Sequence, residues 1–387
     1  MTKIYASIGT ALAVGLFSSL ANADGAAVKP CAYGKAGFNT PFCKSAPDNV
    51  GSGPSLAQAG TAAEIRGGFL RGKELVFAFG GVFEKASLPL QGAIWSVDTK
   101  TGARKVLSGF SNDAAGGAKR TGSGPDLMDV FDVKPASGGA LWVLSRGNNG
   151  ATGQALKDQL LLMKVAPDGT RSVAMNLSKA GSPCRYAQRS LTVAPDGTLY
   201  AAFDYNGSER GIMKIDPAAG KCQIVSQTAP KASAQVGKGP ETTTFRTVLF
   251  HKGSVYATDF VKNALWKIDP ASGDRTLLSS SNSAGAVGAG PKALGTGWMT
   301  ADGNTLWVSG TVVGNDYSST SPSIVEVNLT NGARKTFGSG DGPTLTNDHI
   351  APIWKEPGSN TLLVAAHKGI MRYQLDGDRN WVSYSSK

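Results

Sequence analysis

The sequence predicts an all-β fold, a six-bladed β-propeller with four-stranded antiparallel blades, and three observations carry that expectation. A short phrase of glycines and a proline is written along the chain at Gly51-Ser52-Gly53-Pro54, Gly122-Ser123-Gly124-Pro125, Gly237-Lys238-Gly239-Pro240, Gly288-Ala289-Gly290-Pro291 and Gly340-Asp341-Gly342-Pro343, with a worn copy at Gly181-Ser182-Pro183. The prolines fall at 54, 125, 183, 240, 291 and 343, so the steps are 71, 58, 57, 51 and 52 residues. A period of that size marks an array or a propeller. After each copy the same grammar follows, an apolar strand, a tight turn and a second strand, then a second hairpin. The glycines permit sharp crossings from an outer strand to the next inner strand, and proline needs no amide partner there.

The first hairpins read Gly197-Thr198-Leu199-Tyr200-Ala201-Ala202, Gly253-Ser254-Val255-Tyr256-Ala257-Thr258 and Asn304-Thr305-Leu306-Trp307-Val308-Ser309. Asp196-Gly197 and Asp302-Gly303 supply residues that tolerate positive φ in hairpin turns. The second hairpins read Ile94-Trp95-Ser96-Val97-Asp98, Ile212-Met213-Lys214-Ile215-Asp216, Leu265-Trp266-Lys267-Ile268-Asp269 and Ile324-Val325-Glu326-Val327-Asn328. With 50 glycines and 17% charged residues, the composition suits tight turns around blades buried on both faces.

Residues 1–23 carry Lys3, an apolar run from Ile8 to Leu20 and a small-x-small site at Ala21-Asn22-Ala23, which is the pattern of a secretory signal peptide. The expected organisation is a signal peptide over 1–23, an N-terminal extension over 24–54 and the propeller over 55–387. No later apolar run is long enough to span a bilayer, so the product is expected to be secreted or periplasmic, without a transmembrane anchor. Four cysteines fit that compartment and allow three connectivities; the local pairs Cys31 with Cys43 and Cys184 with Cys222 are the favoured disulfides. Metal binding by these cysteines is the alternative, without a Cys-x-x-Cys to support it.

The formal charge of +11 attracts anionic partners or serves solubility. Lys100, Arg104, Lys105, Arg171, Lys221, Arg275, Arg334 and Lys335 are spread through the outer hairpins without basic runs or interleaved aromatics, which favours solubility over specific nucleic-acid binding. Long segments at 80–92, 110–120, 146–157 and 310–322 interrupt the template and read as binding or disordered segments.

In propellers the starts of the inner strands open on one mouth of the central channel, so polar residues there are the default site. The candidates are Glu64 and Arg66, Asp126 and Asp129, Gln188 and Arg189, Glu241 and Arg246, Trp298, and Asn347, Asp348 and His349. Three arrangements are open: a self-satisfied ion-pair ring, a clamp for a ligand carboxylate, or a cation site in which Glu64, Asp129 and Asp348 offer oxygen ligands to Ca2+ or another divalent ion. The serine-hydrolase elbow, the His-Glu-x-x-His helix and the phosphate loop are all missing, so those chemistries have no sequence support.

Val106-Leu107-Ser108-Gly109 running to Gly122-Ser123-Gly124-Pro125-Asp126-Leu127, and Gly253 to Asp259 running to Leu265-Trp266-Lys267-Ile268-Asp269, resemble the NHL-repeat and gluconolactonase-like six-bladed propellers. The resemblance implies the fold over about 55–385. In the gluconolactonase-like enzymes a Glu, an Asn and an Asp from different blades hold a divalent cation on the axis. Glu64 matches the first by position, while Gln188-Arg189 stands where an Asn-Asp is expected. Two functions follow: a binding propeller for a small anionic molecule, a glycan or an envelope protein, with Asp129, Arg189, Arg246, Trp298, Asp348 and His349 at its mouth; or a metal-assisted hydrolase, lactonase or lyase.

Overall fold

The computed structural model describes residues 52–53, 63–81, 92–112, 118–148, 159–178, 184, 187–205, 209–228, 235–281, 286–290, 294, 297–313, 320–339, 352–366, 369–375 and 381–384. The segments 1–23 and 24–51, with Cys31 and Cys43, lie outside the described residues, as do Asn347, Asp348 and His349.

The described strands form an all-β propeller of antiparallel blades, with strands in chain order within every sheet. The first sheet holds β1 (Ala63–Arg71), β2 (Glu74–Gly81), β3 (Ala93–Asp98), β4 (Arg104–Asn112) and β5 (Ala118–Thr121). The second holds β6 (Asp126–Pro135), β7 (Leu141–Asn148), β8 (Leu160–Val165) and β9 (Arg171–Asn176). The third holds β10 (Ala187–Val193), β11 (Leu199–Tyr205), β12 (Glu209–Asp216) and β13 (Lys221–Thr228). The fourth holds β14 (Phe245–His251), β15 (Ser254–Asp259), β16 (Ala264–Ile268) and β17 (Arg275–Ser280). The fifth holds β18 (Met299–Asp302), β19 (Thr305–Val313), β20 (Thr320–Asn328) and β21 (Arg334–Ser339). The sixth holds β22 (Ile353–Lys355), β23 (Thr361–Ala366), β24 (Gly369–Gln374) and β25 (Trp381–Tyr384). The hairpin grammar is thus realised strand by strand. One departure is β5, which turns part of the segment expected to be a loop into a fifth strand on β4.

Alternation within each strand feeds two cores, one on each face of a sheet. Val76, Ala78 and Ile94 pack with Val133, Val143 and Leu161 between the first and second sheets. From the opposite face of the same strands, Leu75, Phe77 and Trp95 pack with Trp354, Leu363 and Ile370 of the sixth sheet. Similar apolar layers join second to third, third to fourth and fourth to fifth sheets. The first and last sheets therefore meet through side-chain packing. Among the described residues the first sheet is built from five strands of its own and the last from four, with none exchanged between them.

The glycine-proline phrase has a specific job at the rim. Gly239, with φ +116°, lies so close to the Arg275 carbonyl that a Cβ there would overlap it, and Arg275 N–H donates to Lys238 O at 2.7 Å. Gly53, Gly124 and Gly290 stand the same way against Arg104, Arg171 and Arg334. These four copies thus dock on an outer strand of the sheet they introduce, where only glycine has both the conformation and the room.

Three of these arginines, Arg171, Arg275 and Arg334, reach back to the preceding sheet. Arg171, 2% exposed, donates through Nη1 to Ser108 Oγ at 2.8 Å and to Thr121 O at 2.8 Å, and through Nε to Pro125 O at 2.7 Å. Arg275 repeats this with Ser226 Oγ at 2.8 Å and Val236 O at 2.8 Å, and Arg334 with Ser279 Oγ at 2.7 Å and Val287 O at 2.7 Å. Burial lowers the pKa of these guanidiniums, which nevertheless stay charged at any physiological pH. Arg104, Arg171, Arg275 and Arg334, which composition assigned to solubility, are buried, and the last three lie at seams between sheets.

The third sheet departs from the pattern in a consistent way. Cys222 pairs with Ile215 in the register where Arg171 pairs with Val165 and Arg275 with Ile268. Its disulfide to Cys184, the pair favoured from the sequence, fastens the incoming linker covalently where the glycine-proline phrase is worn. Met175 of the preceding strand occupies the position four residues on that serine fills elsewhere, and it packs with buried Cys184. Polar donor and polar acceptor were replaced together, so no buried hydroxyl is stranded.

Candidate functional site

Inner strands of a propeller present an open hydrogen-bonding edge to the axis, and unpaired backbone groups there need partners. Side chains of the neighbouring sheet supply them. Asp132 Oδ2 accepts from Leu191 N at 2.8 Å, Ser190 Oγ from Val248 N at 3.3 Å, Thr192 Oγ1 from Phe250 N at 2.7 Å and Thr300 Oγ1 from Lys355 N at 3.0 Å. In the other sense, Thr247 Oγ1 donates to Gly297 O at 2.5 Å.

Those side chains reach the axis because the inner strands are bulged. Register shifts fall between Ile65 and Gly68, between Val130 and Asp132, between Ala187 and Leu191, and between Phe245 and Val248. A bulge breaks strict alternation and re-aims the residues within it. Arg66 and Gly67, Phe131 and Asp132, and Arg246 and Thr247 thereby come to two successive levels of the channel.

The level nearer the mouth is cationic and aromatic. Arg66 Nη1 contacts Asp129 Oδ1 at 2.5 Å, with both side chains largely buried. The Arg66 guanidinium carbon lies 5.1 Å from the centroid of Phe131, and that of Arg146 lies 5.8 Å from the same ring. Across the mouth, the Arg246 guanidinium carbon stands 3.8 Å from the centroid of Phe260, which is 44% exposed beside exposed Val261. Burial lowers the pKa of Arg246. Among the described residues, no carboxylate pairs with Arg146 or Arg246. Among the described residues, two guanidiniums thus flank one ring and one carboxylate contacts Arg66.

Asp132, fully buried, also accepts from Val133 N at 2.9 Å and from Lys134 Nζ at 2.7 Å, and Lys134 reaches Gly68 O at 3.1 Å. Burial raises the pKa of Asp132, against the pull of Lys134 and the two backbone donors. Trp298, from the fifth sheet, reaches these residues of the first and second sheets. Lys134 Nζ is 5.9 Å from its ring, and a Cβ on Gly67 would lie 2.5 Å from its Cη2. Gly67 therefore makes room for the indole tip.

The structure sorts the expected residues. Arg66, Asp129 and Arg246 lie on the first strands of their sheets, and Trp298 directly precedes that of the fifth. Asp126 is drawn to Arg120 at 2.7 Å, toward the β4–β5 hairpin, and Glu241 is exposed. Glu64, Gln188 and Arg189 lie on β1 and β10, with their side chains outside the description, and Asn347, Asp348 and His349 lie outside it altogether. Of the expected cation ligands Glu64, Asp129 and Asp348, only the side chain of Asp129 is described, and it faces Arg66. Among the described residues, no cluster of three or more His, Cys, Asp or Glu side chains is placed to hold a metal ion. Sequence reading missed Gly67, Phe131, Asp132, Lys134 and Arg146. Phe131 reads as core between two acids, and Arg146 reads as the start of a loop.

Among the described residues no helix is long and apolar enough to cross a membrane. Comparison of the chain with protein-family models gives no match, and comparison with curated proteins gives none either. Solved structures do align. A streptogramin B lyase matches at 15% identity over 85% of this chain and 85% of that one, with a TM-score of 0.45. Virginiamycin B lyase from Staphylococcus aureus matches at 13% identity over 86% and 95%, with a TM-score of 0.43. A chain of a nidogen/laminin complex matches at 14% over 71% and 80%, with a TM-score of 0.44. At these levels no residue role passes from those proteins to this chain.

Proposed function

We propose that the chain is an exported, closed six-bladed propeller whose channel mouth binds a small anionic ligand. The observation that carries the reading is the cluster of Arg66 and Arg146 about Phe131, in which no described carboxylate pairs with Arg146. Arginine is suited to the task because its planar fork bonds two oxygens of a carboxylate or phosphate at once. Arg246 on Phe260 extends the cationic rim, and Arg189, Asp348 and His349 are proposed to complete it. Export is supported by the leader-like residues 1–23 and by the disulfide Cys184–Cys222, with Cys31–Cys43 proposed as the second.

Thermal melts of the mature chain in a panel of small carboxylates and phosphates test this. At least one anion is expected to raise the melting temperature saturably in the parent, and the shift is expected to vanish in R146Q. A shift unchanged in both R146Q and R246Q overturns the reading. The competing metal-assisted hydrolase or lyase would show itself instead as bound Ca2+ or another divalent ion, with turnover that a chelator abolishes.

A further inference from the structure

We infer that the channel is a blind cup floored by Trp298, and that its ligand is a carboxylate carried on a flat apolar body. This rests on the anion-binding reading above and deepens it.

Trp298 comes from the fifth sheet yet touches the first and second, which are not the sheets it packs beside. A side chain that bridges non-adjacent sheets crosses the axis and obstructs passage. The crossing is built in: Gly67 offers bare backbone to the indole tip, while buried Asp132 holds Lys134 near the ring. Gly67 and Asp132 are the chain neighbours of Arg66 and Phe131, so the floor lies one residue below the cationic level.

The cup therefore offers two different chemistries in sequence from the mouth. Arg146 has no carboxylate partner among the described residues, which leaves one guanidinium there for a ligand anion. That matches a singly charged carboxylate better than a phosphate dianion. Beneath it, the half-buried indole offers an apolar π face, which favours a flat partner.

Three small probes separate the parts: benzoate has charge and flat face, benzamide only the face, acetate only the charge. Affinities would be measured by ligand-detected NMR on the mature chain. Benzoate is expected to bind at least about tenfold more tightly than either of the others, a factor worth about 1.4 kcal/mol. W298L should bring benzoate down to the level of acetate and leave acetate unchanged, whereas R146Q should abolish both. Should W298L fail to fold, W298F is compared, with benzoate expected to weaken about threefold and acetate not at all. If R146Q removes binding but Trp298 variants change nothing, the cup is overturned and the anion site stands. If benzamide equals benzoate, or R146Q is without effect, both fall.

Discussion

Ser279 shows how much one hydroxyl does at a buried seam. It accepts from Arg334 and donates to Gly332 O at 2.8 Å, so it serves two elements of the next sheet at once. S279A should cost about 1–3 kcal/mol, the penalty for stranding a buried charged donor. Urea titration measures it, and a loss within error of zero would show that water replaces the hydroxyl. Carboxylates set the acid limit. Burial works to raise the pKa of Glu74, but hydrogen bonds from Arg71, Lys105 and Ser96 outweigh it and hold it at about 2. Burial is likewise outweighed at Asp98 by turn donors from Thr101 and Lys100, and bonds from Thr170 and Thr198 lower Asp168 and Asp196. Such groups bind protons more readily in the unfolded chain, so their stabilisation is complete above about pH 5 and is lost as the pH falls toward 2. Asp132 runs the other way, since burial raises its pKa and protonation relieves a cost. The depressed acids outnumber it, so the urea midpoint should fall between pH 5 and pH 3, and less so in E74Q. A midpoint that rises over that interval would reverse the assignment.

At the scale of elements, the outer strand and the linker before the next sheet behave as one joint. In the second to fifth sheets the third and fourth strands share a register shift at the same place, after Leu162, Ile212, Leu265 and Ile324, and the first sheet repeats it after Ile94. The bulge turns the Leu107, Val225 and Leu278 carbonyls toward Gly169, Gly273 and Gly332 of the following sheet. In the third sheet, sulfur replaces guanidinium within this joint. Removing the Cys184–Cys222 crosslink by a C184A/C222A double change should cost about 2–4 kcal/mol for a loop of this length. Denaturant midpoints with and without reductant check it; a parent insensitive to reductant would mean that the linker is held by packing alone.

For the whole molecule, the wheel is closed by the apolar layer that joins Phe77 and Trp95 to Trp354 and Leu363. A chain ending before Pro352 would bare that layer, so it should aggregate or melt without cooperativity. A soluble truncated chain that melts as sharply as the parent would refute closure by this layer. The strands and their order were legible in the sequence because turn chemistry and period-two alternation repeat in phase, from Gly197-Thr198-Leu199 to Asn304-Thr305-Leu306. The seam arginines were not, because Arg171 and Lys100 look alike until burial is known. The channel was legible only in part. Two bulges in β6 move Asp132 to the axis and turn Asp129 to Arg66, and a bulge is invisible to a pattern that assumes strict alternation.

Sulfur in the third joint ties the durability of the wheel to where the chain matures. The seams bridged by Arg171, Arg275 and Arg334 are indifferent to thiol chemistry, whereas the linker entering the third sheet is fastened covalently only after oxidation. A chain held in a reducing cytosol would keep the apolar layer between its second and third sheets but lose the tether on the linker before the third, and proteases should enter there first.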